Sequence, residues 1–169
     1  GHGVKDEFSK EGYWLPIESK KDRPFTWISN SEIITYLRAL KAKHIILIVD
    51  SCFSGALLRT RGDDASEVEI LPKNELELEK FYKKKNNKIS RVAITSGNLE
   101  PVPDSLQNSI HSPFANSLIG ILEDNDKILL SSVLFVKLEQ YLTQYSNFQE
   151  ALYAPLSIQE HNYGGHFIF

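Results

Sequence analysis

The chain has 169 residues, of which 41% are hydrophobic and 24% charged, and its formal net charge is −3. These values fit one folded domain long enough to bury a core, and they exclude a disordered polymer, a fibrous repeat and a disulfide-stapled miniprotein. The mildly acidic balance supplies no basic field, so nucleic acid is not an expected partner.

Cys52 is the one cysteine, which allows no intrachain disulfide and suits a reducing compartment or a thiol kept for chemistry. No apolar run approaches the ~20 residues that span a bilayer, so no membrane association is expected and the cytoplasm is the default compartment. Methionine is absent, which points to a piece of a longer polypeptide.

In chain order, residues 4–30 are polar around a strand-like stretch, Tyr13 to Ile17, that Pro16 confines to an edge or a hairpin. Ser29 and Glu32 have the spacing of a capping box and open a helix, whose Ile33, Leu37 and Leu40 keep one face apolar to about Leu40. His44 to Asp50 is a short, continuous run rich in β-branched residues, the pattern of a strand buried on both faces of a parallel sheet. A helix feeding such a strand predicts a βαβ architecture.

Residues 59–90 read as an exposed insertion or linker within a single domain spanning 1–169, with a short helix around Asn74–Lys84. Lys83 to Lys88 reads as a solvated loop, too short and too balanced by acids for nucleic acid. Arg91 to Thr95 is a second buried strand, closed by Ser96-Gly97-Asn98. Ser112 as cap and Pro113 at the first position start a helix with Phe114, Leu118, Ile121 and Leu122 inward. A further helix runs from about Ser132 to Tyr145 with Leu134, Leu138, Tyr141 and Leu142 on one face, and Gly164 to Phe169 reads as a terminal strand. Three parallel strands make a thin sheet, so the chain reads as the later part of a larger one.

Active sites of open α/β sheets gather at the carboxyl ends of strands. The buried strand ends at Val49, and Asp50-Ser51-Cys52-Phe53-Ser54-Gly55 follows at once, presenting the thiol where a nucleophile would sit. A thiol needs a base to become a thiolate. His2, in Gly1-His2-Gly3, lies 50 residues upstream across one helix and one strand, which would bring the two to adjacent strand ends. The plain alternatives are a Cys52 that only packs, a Gly1-His2 left by a tag, an Asp50 that only caps its turn, and an Asp104 that is ordinary turn chemistry. His44, His111, His161 and His166 read as structural or exposed, and none has metal-ligand spacing with another His or Cys.

Gly1-His2-Gly3 together with Asp50-Ser51-Cys52-Phe53-Ser54-Gly55 resembles the caspase-like cysteine peptidases, and within them the bacterial caspase homologues and metacaspases. A His about 50 residues before the Cys is the general caspase spacing. Thr95-Ser96-Gly97, Pro103-Asp104, His111 to Ala115 and Gly164 to Phe169 resemble further segments, so the likeness covers most of the chain except 59–90.

The resemblance implies a three-layer αβα sandwich on a mostly parallel sheet, of which this chain holds the later strands. The remainder would be supplied by an upstream part of the polypeptide or by a second chain, and the isolated segment is expected not to fold stably. It implies hydrolysis of peptide bonds by a Cys52–His2 dyad through an acyl-enzyme, with the backbone N–H groups of Gly3 and Cys52 holding the oxyanion. Asp50 and Asp104 would line S1; two carboxylates there call for Arg or Lys at P1. The substrate backbone would pair beside Ser96, and Arg59, Arg61 or Lys83 to Lys88 would offer autoprocessing sites. No cofactor is expected, and calcium dependence, a feature of many metacaspases, stays open: Asp63, Asp64, Glu67 and Glu69 are acidic but match no calcium loop. The competing functions are a catalytically silent caspase-fold regulatory or scaffold module and a different α/β hydrolase, for which no clear acid–His pair stands late in the chain.

Overall fold

The computed structural model describes residues 1–51, 57–58, 70–97, 110–145, 151–158 and 160–169. It is a mixed α/β structure, with two three-stranded sheets and four α-helices among the described residues.

The first sheet is an antiparallel meander of β1 (His2–Lys5), β2 (Gly12–Leu15) and β3 (Ile28–Ser29) in that order. Its first turn is built by Asp6, whose Oδ1 accepts from the amides of Phe8 at 2.7 Å and Ser9 at 3.3 Å, while Lys10 takes a φ of 59°. This is the local bonding that makes Asp a turn former. Pro16 ends β2, because it has no N–H to continue the ladder. The chain returns through a 3-10 turn at Pro24–Thr26, pinned by the Trp27 indole donating to the Lys20 carbonyl at 3.0 Å.

The capping residue is as expected. Ser29 Oγ accepts from the Glu32 amide at 3.0 Å and starts α1 (Asn30–Ala39). Glu11 Oε1 ties the hairpin to that helix by accepting from both the amide and the hydroxyl of Ser31, each at 2.8 Å. Leu40 falls outside the helix and is exposed; Ile34 joins Leu37 on the inward face instead.

The second sheet has β4 (His44–Val49) parallel to β5 (Ser90–Thr95) and β6 (Leu152–Pro155) antiparallel on the far edge of β5. Every residue of the central β5 is buried. Alternation along β4 splits the core in two. Ile45 and Leu47 pack with α1 residues Ile34 and Leu37 on one face. Ile46 and Ile48 pack on the other, against a cluster that includes Phe114 and Ile121 of α3 (Pro113–Glu123) and Leu134, Leu138 and Leu142 of α4 (Ser131–Tyr145). Helices therefore cover both faces of this sheet.

Four further sequence expectations need correction. The sheet is not three parallel strands: one pair is parallel, and the third strand is the unanticipated β6. Gly164 to Phe169 forms only a bridge, Ile168 opposite Leu130, held by Ser131 N donating to Phe167 O at 2.8 Å and Phe169 N to Leu129 O at 2.8 Å. Lys83 to Lys88 is not a solvated loop. Its first part is the last turn of α2 (Glu75–Asn86), the helix on the crossover from β4 to β5, and Lys85 is buried with Nζ donating to Gly164 O at 3.0 Å. Tyr141 leaves the inner face of α4 and is 39% exposed, so the stripe is Leu134, Leu138 and Leu142.

Candidate active site

Asp50 stands one residue past β4, and three other segments converge on it or beside it. The Gly1 nitrogen donates to the Asp50 carbonyl at 2.6 Å. The Ser112 hydroxyl donates to Asp50 Oδ2 at 2.5 Å, and the same Oγ accepts from the Ala115 amide at 3.0 Å. Beyond β5, the Ser96 amide donates to Val49 O at 2.9 Å, and Thr95 Oγ1 donates to Gly97 O at 3.1 Å. The amino end of the chain, the turn after β4, the end of β5 and the start of α3 thus meet at the carboxyl ends of two parallel strands, the position at which open α/β sheets present chemistry.

Of the six residues singled out from the sequence, four are described. His2 opens β1 opposite Leu15 with its side chain exposed, and Gly3 sits opposite Trp14. Asp50 is half-buried and Ser96 fully buried. Cys52 and Asp104 lie outside the described residues, as do Arg59 and Arg61 and the acidic residues at 63, 64, 67 and 69.

The strand that carries His2 does not stand where it was expected. β1 is not a strand beside β4 in one sheet; it begins a separate antiparallel hairpin. The contact is made one residue earlier, through Gly1 and Asp50. The place for a substrate strand is narrowed as well. β5 is the central strand, paired at Thr95 to Val49 on one side and to Leu152 on the other. Among the described residues, an added strand could therefore pair along β5 only past its paired residues, beyond Ser96.

Ser112 was legible as a helix cap and not as a partner of Asp50, because the two are 62 residues apart and no local pattern links them. Three of the remaining histidines have structural partners. His44 Nε2 lies 2.9 Å from Lys88 O, and His161 Nδ1 accepts from the Arg91 amide at 3.0 Å. His166 is buried, with Nδ1 3.3 Å from the Tyr153 hydroxyl, which is itself 2.9 Å from Ser131 Oγ. Burial first, then the charges of Lys85, His161 and Lys88, push the His166 pKa down to about 4. Burial pushes the Tyr153 hydroxyl up to about 12. Both groups are therefore neutral at pH 7, holding the chain's last segment rather than moving protons.

Among the described residues, no three His, Cys, Asp or Glu side chains come together as a metal site. No described helix is long and apolar enough to cross a membrane. No protein-family model matches the chain, and a search of the curated proteins returns no match.

Proposed function

We propose that this chain carries the active centre of a caspase-like cysteine endopeptidase that cleaves after Arg or Lys. The observation that carries the proposal is the 2.6 Å bond from the Gly1 nitrogen to the Asp50 carbonyl, which joins the Gly-His-Gly segment to the turn that leads into Ser51 and Cys52. Two motifs separated by 50 residues are the ones that a Cys–His dyad needs side by side. The helices on both faces of the second sheet are compatible with the αβα sandwich of that family.

In this reading, Cys52 Sγ attacks the scissile carbonyl, His2 delivers a proton to the departing amine, and water then hydrolyses the thioester with His2 as base. The N–H groups of Gly3 and Cys52 receive the oxyanion. Asp50 supplies negative charge to S1, with Asp104 as its second acid, and the peptide backbone lies beyond Ser96. The substrate in this reading is a protein with Arg or Lys at P1, and the dyad itself calls for no cofactor. Autoprocessing belongs at Arg59 or Arg61: Lys83 to Lys85 are in α2, where the helical backbone does not fit a cleft that binds extended chain.

The test is a P1-scanning fluorogenic peptide library assayed with the wild type and with Cys52→Ala. The proposal expects hydrolysis confined to P1-Arg and P1-Lys peptides and abolished in the variant. Faster cleavage of a P1-Asp peptide than of its P1-Arg counterpart, or undiminished hydrolysis by Cys52→Ala, would overturn it.

A further inference from the structure

We infer that Ser112 is a positioning residue for recognition of a basic side chain by Asp50, an inference that rests on the reading of Asp50 as an S1 acid. The Ser112 hydroxyl is used in both senses at once. Its lone pair accepts from the Ala115 amide at 3.0 Å, capping α3, so its single proton is directed to Asp50 Oδ2 at 2.5 Å. That separation is at the short end for a hydroxyl on a carboxylate, the stronger class of hydrogen bond. The hydroxyl is not free to turn elsewhere: Ser112 is 7% exposed, and Pro113 fixes the first helical residue behind it.

Asp50 is consequently held at two points, its carbonyl by Gly1 and its Oδ2 by Ser112. No described residue bonds Oδ1, which leaves that oxygen to meet an incoming guanidinium or ammonium. A carboxylate already fixed in orientation loses less rotamer freedom when the cation arrives, which is how preorganisation adds affinity. The seryl hydroxyl therefore acts on substrate binding and not on the bond-breaking step. It also joins the start of α3 to the pocket, since the same atom serves both.

The experiment separates the two duties of the hydroxyl. Ser112→Gly removes the donor but keeps most of the stability of the cap, because Gly is itself a fair N-cap. Ser112→Thr keeps both donor and acceptor. Binding of N-acetyl-arginine amide is measured by calorimetry, and KM and kcat for a P1-Arg peptide are measured alongside. The expected result is about tenfold weaker arginine-amide binding and about tenfold higher KM for the Gly variant. Its kcat and melting temperature should stay near the wild-type values, and the Thr variant should be restored. A Gly variant that binds arginine amide as the wild type does overturns the role of Ser112 and leaves the peptidase reading standing. Ser112-dependent binding without any peptide hydrolysis keeps the role of Ser112 and overturns the peptidase. A wild type that binds no arginine amide overturns Asp50 as a cation acceptor and Ser112 with it.

Discussion

His166 should make the protein selectively sensitive to mild acid. It is 4% exposed, and its pKa is pushed down to about 4, first by burial and then by the positive charges of Lys85 and Lys88. Lys85 and Lys88 are held beside it, with their Nζ atoms on the Gly164 and Tyr163 carbonyls. In the unfolded chain the same imidazole returns to about 6.5. The folded value is the lower one, so the unfolded state binds the extra proton between pH 6.5 and 4, and stability falls as the pH drops through that window. Linkage gives a loss of about 2 kcal/mol by pH 5 and about 3 kcal/mol by pH 4, relative to pH 7. The assay is urea unfolding from pH 7 to pH 4, with His166→Gln as control, since an amide fills the site without titrating. An NMR titration of the His166 ring gives the pKa directly. The wild type should lose more stability than the variant across the window, by the amounts above. Parallel profiles for the two proteins, or a ring that titrates near 6.5, would refute the reasoning.

Three other perturbations have defined outcomes. Leu138→Ala removes a fully buried side chain from the cluster between α3, α4 and the second sheet, and thermal or chemical denaturation should register a loss of about 2–5 kcal/mol. Gly165→Ala would drive a Cβ into the Ile89 carbonyl and close to that of Asn162, neither of which is a flexible side-chain end, so a loss of about 1–3 kcal/mol is expected in the same measurement. Asp50→Asn leaves the backbone bond from Gly1 possible but removes the negative charge, and kcat/KM for P1-Arg peptides should fall about 10- to 100-fold, with neutral P1 residues affected far less.

Local signals in the sequence were read correctly because they act locally. The Ser29 and Ser112 caps, the Pro113 start and the continuous apolar runs of β4 and β5 each contain their own cause within a few residues. What was missed depends on distant pairing. β6 is a four-residue stretch ending in Pro155, with no alternation of its own; it is a strand because β5 offers it an edge some 60 residues earlier in the chain. Lys85 looked like surface charge because its acceptor, the Gly164 carbonyl, is 79 residues away. The Gly164 to Phe169 run was apolar enough to suggest a strand, but its partner is the segment before α4 and only one bridge forms. At the site, the sequence singled out Asp50 and His2, whereas the hydroxyl that fixes Asp50 became visible only in three dimensions.

The central claim is that the thiol following β4 is a nucleophile served by His2 in a pocket for basic side chains. It is tested most directly by treating the protein with a P1-Arg peptidyl fluoromethyl ketone and locating the adduct by mass spectrometry. The account predicts one covalent adduct, on Cys52, which is lost in His2→Ala and outcompeted by a P1-Arg substrate. No adduct, or equal labelling by the P1-Asp reagent, would contradict it.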